Sequence, residues 1–174
     1  MLAALALLVA IETLSDCQEM AIRSAIVPAS GIQRVIVIGR AGFLHIEGRP
    51  GATTIRVEGR ACAGREHLLV GIAFKTTRKG PELVIDAMVP NESETLVAAA
   101  PRLDVTITVP PDIALSIADT TGVIEVHNVR RNVDIAAHGT GPIVVTDVGG
   151  DLTVHSSRRG GVDHRRVAGR VSIR

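Results

Sequence analysis

From Gly122 onward the chain writes one pattern three times at a spacing of nineteen residues: GVIEVHNVRRNVDIAAH from Gly122, GPIVVTDVGGDLTVHSS from Gly141, and GGVDHRRVAGRVSIR from Gly160. Ile124, Ile143 and Val162 fall in one column, and Val129, Val148 and Val167 in a second. Val133, Leu152 and Val171 form a third, Ile135, Val154 and Ile173 a fourth, and Val126, Val145 and His164 a fifth. Within a copy these positions read as two short alternating strands separated by a turn. A unit this small cannot bury its own apolar face, so successive copies must stack. Parallel stacking at about 4.8 Å per rung predicts a β-solenoid, with Ile143 in its interior and Thr153 pointing out. Gly150 and Gly169 share a turn column, which predicts a backbone of positive φ there. Arg131 interrupts that column, and the neighbouring Asn132 is expected to take the left-handed position instead. Gly122, Gly141 and Gly160 mark the start of each rung.

Upstream the alternation is equally dense but has no fixed period. The runs IQRVIVIG, GFLHIEG, TTIRVEG, LLVGIAFK and ELVIDAMV are short and β-branched, and Pro28, Pro50, Pro81 and Pro90 fall between them. The expected class is therefore all-β: a parallel β-helix over residues 102–174, preceded by a less regular β layer over 16–101 of the same domain. Residues 92–101, ESETLVAAAP, read as a short helical turn or a loop dividing the two parts, and 103–117 as a less regular coil leading into the repeats. A chain of 174 residues suits one domain with a real core. That core is built of Val, Ile, Leu and Ala, with two Phe and neither Trp nor Tyr, so the aromatic platforms that stack sugars or bases are missing.

The opening MLAALALLVA is too short to span a bilayer and matches the apolar part of a secretory leader, although no positive charge precedes it. Residues 1–15 are expected to be a signal peptide, cleaved before Asp16, with no transmembrane segment beyond it. Cys17 and Cys62 are the only cysteines, and an even count in an exported chain predicts a disulfide between them. Two inert thiols or a metal pair are the alternatives, and two cysteines without matched histidines make a poor zinc site.

No phosphate loop, dinucleotide fingerprint, nucleophile elbow or zinc-protease helix is present. Glu125 and Asp163 share an outward column two rungs apart, about 9.6 Å by rung spacing, which is near the upper range for an inverting glycosidase. They read as solvated charges on a face without aromatics. The six histidines are scattered; His127 faces outward beside Thr146 and Arg165, and His164 occupies an otherwise valine column, where it reads as tucked against the end of the core. No catalytic residue, cofactor or metal site is expected. The net charge of +1 gives no global attraction for nucleic acid, and no nucleic-acid partner is expected. Arg158, Arg159, Arg165, Arg166, Arg170 and Arg174 crowd into the last copy with only Asp163 opposing them nearby. They are expected to stop another molecule from stacking on the terminal rung, keeping the protein a monomer, and secondarily to bind an anion.

The stretches VGGDLTVHSSRRGGVDHRRVAGRVSIR and VTITVPPDIALSI, with Cys17, Cys62 and VEGRACA, resemble exported bacterial proteins of the adhesin-like β-solenoid type. That family is described as auto-transporter adhesin head domains, or simply as a domain without assigned function. The resemblance covers nearly the whole chain after the leader and implies a periplasmic or surface β-helix with no enzymatic activity, binding an envelope or surface ligand. A carbohydrate-active enzyme on the same scaffold is the alternative. Relatives carry Gly-Ser-Gly-Asp at their turns, whereas this chain reads GTGP, DTTG and SRRGG, so the resemblance does not extend to a regular row of aspartates.

Overall fold

Short β-branched runs bounded by glycine and proline become strands in the computed structural model, which describes residues 17–90, 100–156 and 161–174. The chain begins with β1 (Glu19–Pro28), β2 (Arg34–Arg40), β3 (Leu44–Gly48) and β4 (Thr54–Ala63). After a one-turn helix, α1 (Glu66–Leu69), come β5 (Ala73–Lys79), β6 (Glu82–Met88), β7 (Arg102–Val109) and β8 (Ala114–Thr120). The repeats supply β9 (Ile124–Val129) and β10 (Val133–Ala137), β11 (Ile143–Val148) and β12 (Leu152–Ser156), then β13 (Val162–Val167) and β14 (Val171–Ile173). The leader expected over 1–15 and the stretch 92–99 lie outside the described residues. Among the described residues no helix is long and apolar enough to cross a membrane.

The strands form two seven-stranded sheets, ordered β1-β4-β7-β3-β9-β11-β13 and β14-β12-β10-β8-β2-β6-β5. In the first sheet Ile143 pairs in parallel with Ile124 on one side and Val162 on the other. In the second, Leu152 lies between Val133 and Val171. The nineteen-residue columns are therefore parallel neighbours in both sheets. Each strand turns alternate residues toward the opposite sheet, and Ile46, Val126, Val145, Ile135 and Val154 are all 0% exposed in the single core between them. Burial relaxes at the outer strands β13 and β14, where Val162, Val167 and Val171 are half-buried and Ile173 is exposed.

Two features differ from the sequence expectation. The sheets are mixed rather than parallel throughout: β1 and β7 flank β4 antiparallel, and β5 lies antiparallel on β6. Nor is the N-terminal part a separate preceding layer. Strand β3 sits between β7 and β9, and β2 between β6 and β8, so residues 34–48 form a rung inserted within the stack. Segment 103–117 is thus not the coil next to the repeats in the first sheet, because β3 has taken that place. The cause is pairing at long sequence separation, where Leu44 meets both Val105 and Ile124 with its side chain in the core.

The turn glycines also have a different cause from the one expected. Gly150 and Gly169 do not have positive φ; a Cβ on Gly150 would lie 2.7 Å from the carbonyl carbon of Arg131, and one on Gly169 would lie 2.5 Å from the oxygen of Gly150. Glycine is needed there because stacked turns touch backbone to backbone. The left-handed column is Asn128, Asp147 and Arg166, at φ 59°, 59° and 53°, where the residue between two paired neighbours bulges outward. Asn and Asp tolerate that conformation through local hydrogen bonding, and Arg166 is the costly member.

The second turn of each rung carries a side-chain ladder. Asn132 Oδ1 accepts the Asp151 amide at 3.0 Å, and Asp151 Oδ1 accepts the Arg170 amide at 2.8 Å. The Arg170 side chain carries only donors, so it cannot repeat the acceptor role of Asn132 and Asp151. Asn132→Ala or Asp151→Ala should each cost about 1 kcal/mol in urea unfolding, while Asp151→Asn, which keeps the acceptor, should cost less than half of that.

Candidate functional site

Outward residues of the first sheet line up across strands as the inward ones do. One row runs Thr106, His45, Glu125, Val144 and Asp163, and the next runs Thr108, Glu47, His127, Thr146 and Arg165. Strand β3 reads His-x-Glu where β9 reads Glu-x-His, so acid and imidazole alternate across and along the strands. His45, Glu125 and His127 are half-buried, and their ligand atoms all lie within 4.8 Å of one another.

The geometry of this trio is specific. His45 Nδ1 is 3.2 Å from Glu125 Oε2, and His127 Nε2 is 4.0 Å from the same oxygen. The other nitrogen of His127, Nδ1, is 2.6 Å from Thr146 Oγ1 on the next rung. The two imidazole centroids are 5.3 Å apart, and the Phe43 ring stacks on His45 at 6.2 Å and 12°. Glu47 is turned aside: its Oε1 accepts from Asn128 Nδ2 at 2.6 Å. Among the described residues, these three bring one imidazole, one carboxylate and a second imidazole close enough that they could share a metal ion.

Beside the trio a groove of about 650 Å³ crosses β1, β4 and β7, lined by Ile22, Ile26, Phe43, Arg60, Asp104 and Thr106 among others. Arg60 Nη2 is 3.1 Å from Asp104 Oδ2, and Asp104 Oδ1 accepts the Phe43 amide at 3.0 Å. One carboxylate thus fixes both the Phe43 backbone and the cation at the groove floor. Ile22 and Ile26, 65% and 56% exposed, stand along its β1 side.

The arginine-rich end divides into distinct parts. Arg158 and Arg159 lie outside the described residues. Arg165 Nη2 reaches Asp163 Oδ2 at 3.0 Å, while Arg166 forks onto Asp147, with Nη2 to Oδ2 at 2.7 Å. Asp163 is therefore not the sole opposing carboxylate; Asp147 becomes one because its rung stacks directly below Arg166. That hydrogen bond from Arg166 holds the Asp147 carboxyl below the usual carboxylate range, and Asp147 in turn raises the guanidinium. The backbone amides of Arg170 and Arg174 donate to Asp151 and Val154 of the preceding rung. His164 is exposed rather than tucked against the core, since β13 is an outer strand. Cys17 and Cys62 are bonded, with Cα atoms 5.3 Å apart.

Sequence reasoning found His127 and Glu125 on the outward face but not His45. The one signal for it was the inverted pattern of LHIEG against IEVHN. Glu125 and Asp163, weighed as an acid/base pair, are turned to separate partners, His45 and Arg165.

The fold is thus an all-β body of two mixed sheets with in-register parallel repeats. It is similar to that of a proposed cell adhesion protein from Clostridium sporogenes, with a TM-score of 0.53 at 12% identity, covering 89% of this chain and 99% of that one. Proposed adhesins from Bacteroides fragilis (TM-score 0.32, 11% identity, 90% of this chain and 98% of that one) and Parabacteroides distasonis (0.39, 12%, 87% and 73%) also align. No protein-family model and no curated protein matches the sequence.

Proposed function

We propose that this protein is an exported, non-enzymatic β-solenoid of the periplasm or cell surface that works by binding, as an adhesin does. The observation that carries this reading is the outward face of the first sheet. Seven strands hold unlike side chains in fixed rows, with the groove of Ile22, Ile26 and Phe43 beside them. Such a face offers a partner rigid, preorganised contacts. The disulfide supports an oxidising compartment, and the Clostridium sporogenes likeness supports the scaffold. The auto-transporter head resemblance belongs to the same reading.

The test is fractionation of producing cells with surface labelling, followed by capture from envelope extract on the immobilised mature chain. The expected result is an envelope-located protein that retains an envelope or surface component. Cytoplasmic protein with reduced thiols would overturn the location, and release of sugars from envelope polysaccharide by the purified chain would favour the carbohydrate-active alternative.

In this reading the arginines of the last rung guard an open sheet edge, and anion docking is secondary. Replacing Arg158, Arg159, Arg165 and Arg166 by Ser should leave the monomer folded but drive concentration-dependent association in the ultracentrifuge. A monodisperse variant that has instead lost salt-sensitive sedimentation with anionic vesicles would make the end a docking site.

A further inference from the structure

We propose that His45, Glu125 and His127 bind a divalent first-row transition-metal ion of the zinc class, leaving an open coordination position toward solvent. Two imidazoles and one carboxylate are a donor set that such ions favour, and three protein ligands with a free position are the pattern of sites that accept a further ligand. The donors stand on two directly paired strands, so backbone register sets their spacing: His45 lies opposite Glu125, and His127 is two residues along on the same face.

The distances are near those a bound ion requires. Ligands about 2.0–2.2 Å from a tetrahedral ion lie roughly 3.3–3.5 Å from each other. Glu125 Oε2 is already 3.2 Å from His45 Nδ1 and 4.0 Å from His127 Nε2. All three ligand atoms lie within 4.8 Å of one another, so closing the site takes side-chain rotations that move them by up to about 1.5 Å and leaves the rungs in place.

The surroundings fit as well. When His127 Nδ1 donates to Thr146 Oγ1, Nε2 turns its lone pair toward the Glu125 carboxylate. Two acceptors then face each other across the trio, an arrangement that a cation relieves. Thr146 would be the outer partner that fixes ring orientation and tautomer. Phe43, stacked on His45, restrains the second ring. The site rests on these contacts and needs nothing from the adhesion reading.

The test uses the disulfide-bonded mature chain, stripped with chelator and titrated with Zn²⁺ by calorimetry and by competition with a chromogenic chelator. One equivalent per chain should bind at micromolar affinity or tighter. Co²⁺ should give the visible absorption of a low-coordinate nitrogen/oxygen site. His45→Ala, His127→Ala and Glu125→Gln should each weaken binding by about 100-fold or more. Thr146→Val should weaken it about 10-fold through ring orientation. His155→Ala, on the second sheet, should change nothing. Glu125→Gln preserves volume and decides the matter if an alanine variant fails the far-UV circular dichroism check. No binding tighter than about 100 µM would overturn the proposal, as would binding that Glu125→Gln and His127→Ala leave unaltered.

Discussion

Ile143→Asp should lower unfolding stability by about 3 kcal/mol or more, and Thr153→Asp, ten residues on in the same rung, by about 1 kcal/mol or less. Ile143 is 0% exposed, held between Ile124 and Val162 and facing the second sheet. An aspartate there is a carboxylate without a donor, in a position with no route to water. It must be desolvated or protonated, and either cost is a large share of the roughly 5–15 kcal/mol that stabilises a domain. Thr153 is half-buried and turned outward between Asp134 and Ser172. Aspartate there keeps its water, and its main cost is repulsion from Asp134 directly across the pair, a few tenths to about 1 kcal/mol. Urea unfolding at neutral pH, with comparable m-values, measures the difference. Equal shifts for the two variants would mean that the side-chain register is wrong by one residue, since a slip of one exchanges the faces.

What was legible in the sequence follows from where pairing partners lie. Ile124, Ile143 and Val162 could be placed side by side because each rung's neighbour is nineteen residues away, so spatial stacking is written as sequence repetition. Alternation within each copy then separated Val145 from Thr146, core from surface. The pairing of Leu44 with Ile124 has no such record, because β3 inserts beside β9 at a sequence separation of 80. That insertion is what brings His45 to Glu125, so the trio stayed hidden even though two of its members were recognised as outward-facing. The glycine columns show a subtler limit. Gly150 and Gly169 were visible as a column, but small size for close stacking and freedom for positive φ leave the same letter in the sequence. Strand β1 is not among the runs that read as strands, and β5 reads only in part, through LLVGIAFK, whose Leu68 and Leu69 belong to α1. That both strands end the sheets antiparallel was not legible, since strand direction in a sheet is fixed by connections rather than by composition.

Loss of the disulfide should be the largest single covalent effect. Cys17 lies just ahead of β1, and Cys62, 0% exposed, sits at the end of β4 opposite Met20. Their sequence separation is 45, and closing a loop of that length stabilises the fold by about 4 kcal/mol in the chain-entropy model. The location sharpens the expectation. Strand β1 is an outer strand whose sheet partner is β4 alone, and Met20, Ile22 and Ile26 on it are exposed. Little side-chain burial holds its first half; besides the ladder to β4 and the hydrogen bonds of Arg23 to the carbonyls of Ile72 and Leu69, the bond to Cys62 is what restrains that end. Cys17→Ser, which leaves the buried Cys62 in place as a thiol, should therefore act unevenly. Amide protons of residues 19–24 should exchange at least tenfold faster, while β9 to β12 keep their protection until global unfolding, and the urea midpoint should fall by the equivalent of roughly 3–4 kcal/mol. Intact mass after alkylation provides the control: no modification of the native chain, two additions after reduction. Two freely alkylated thiols in protein taken from the envelope would show that the bond does not form there. An unchanged exchange pattern in β1 would show that pairing with β4 and the Arg23 hydrogen bonds hold the strand without the disulfide.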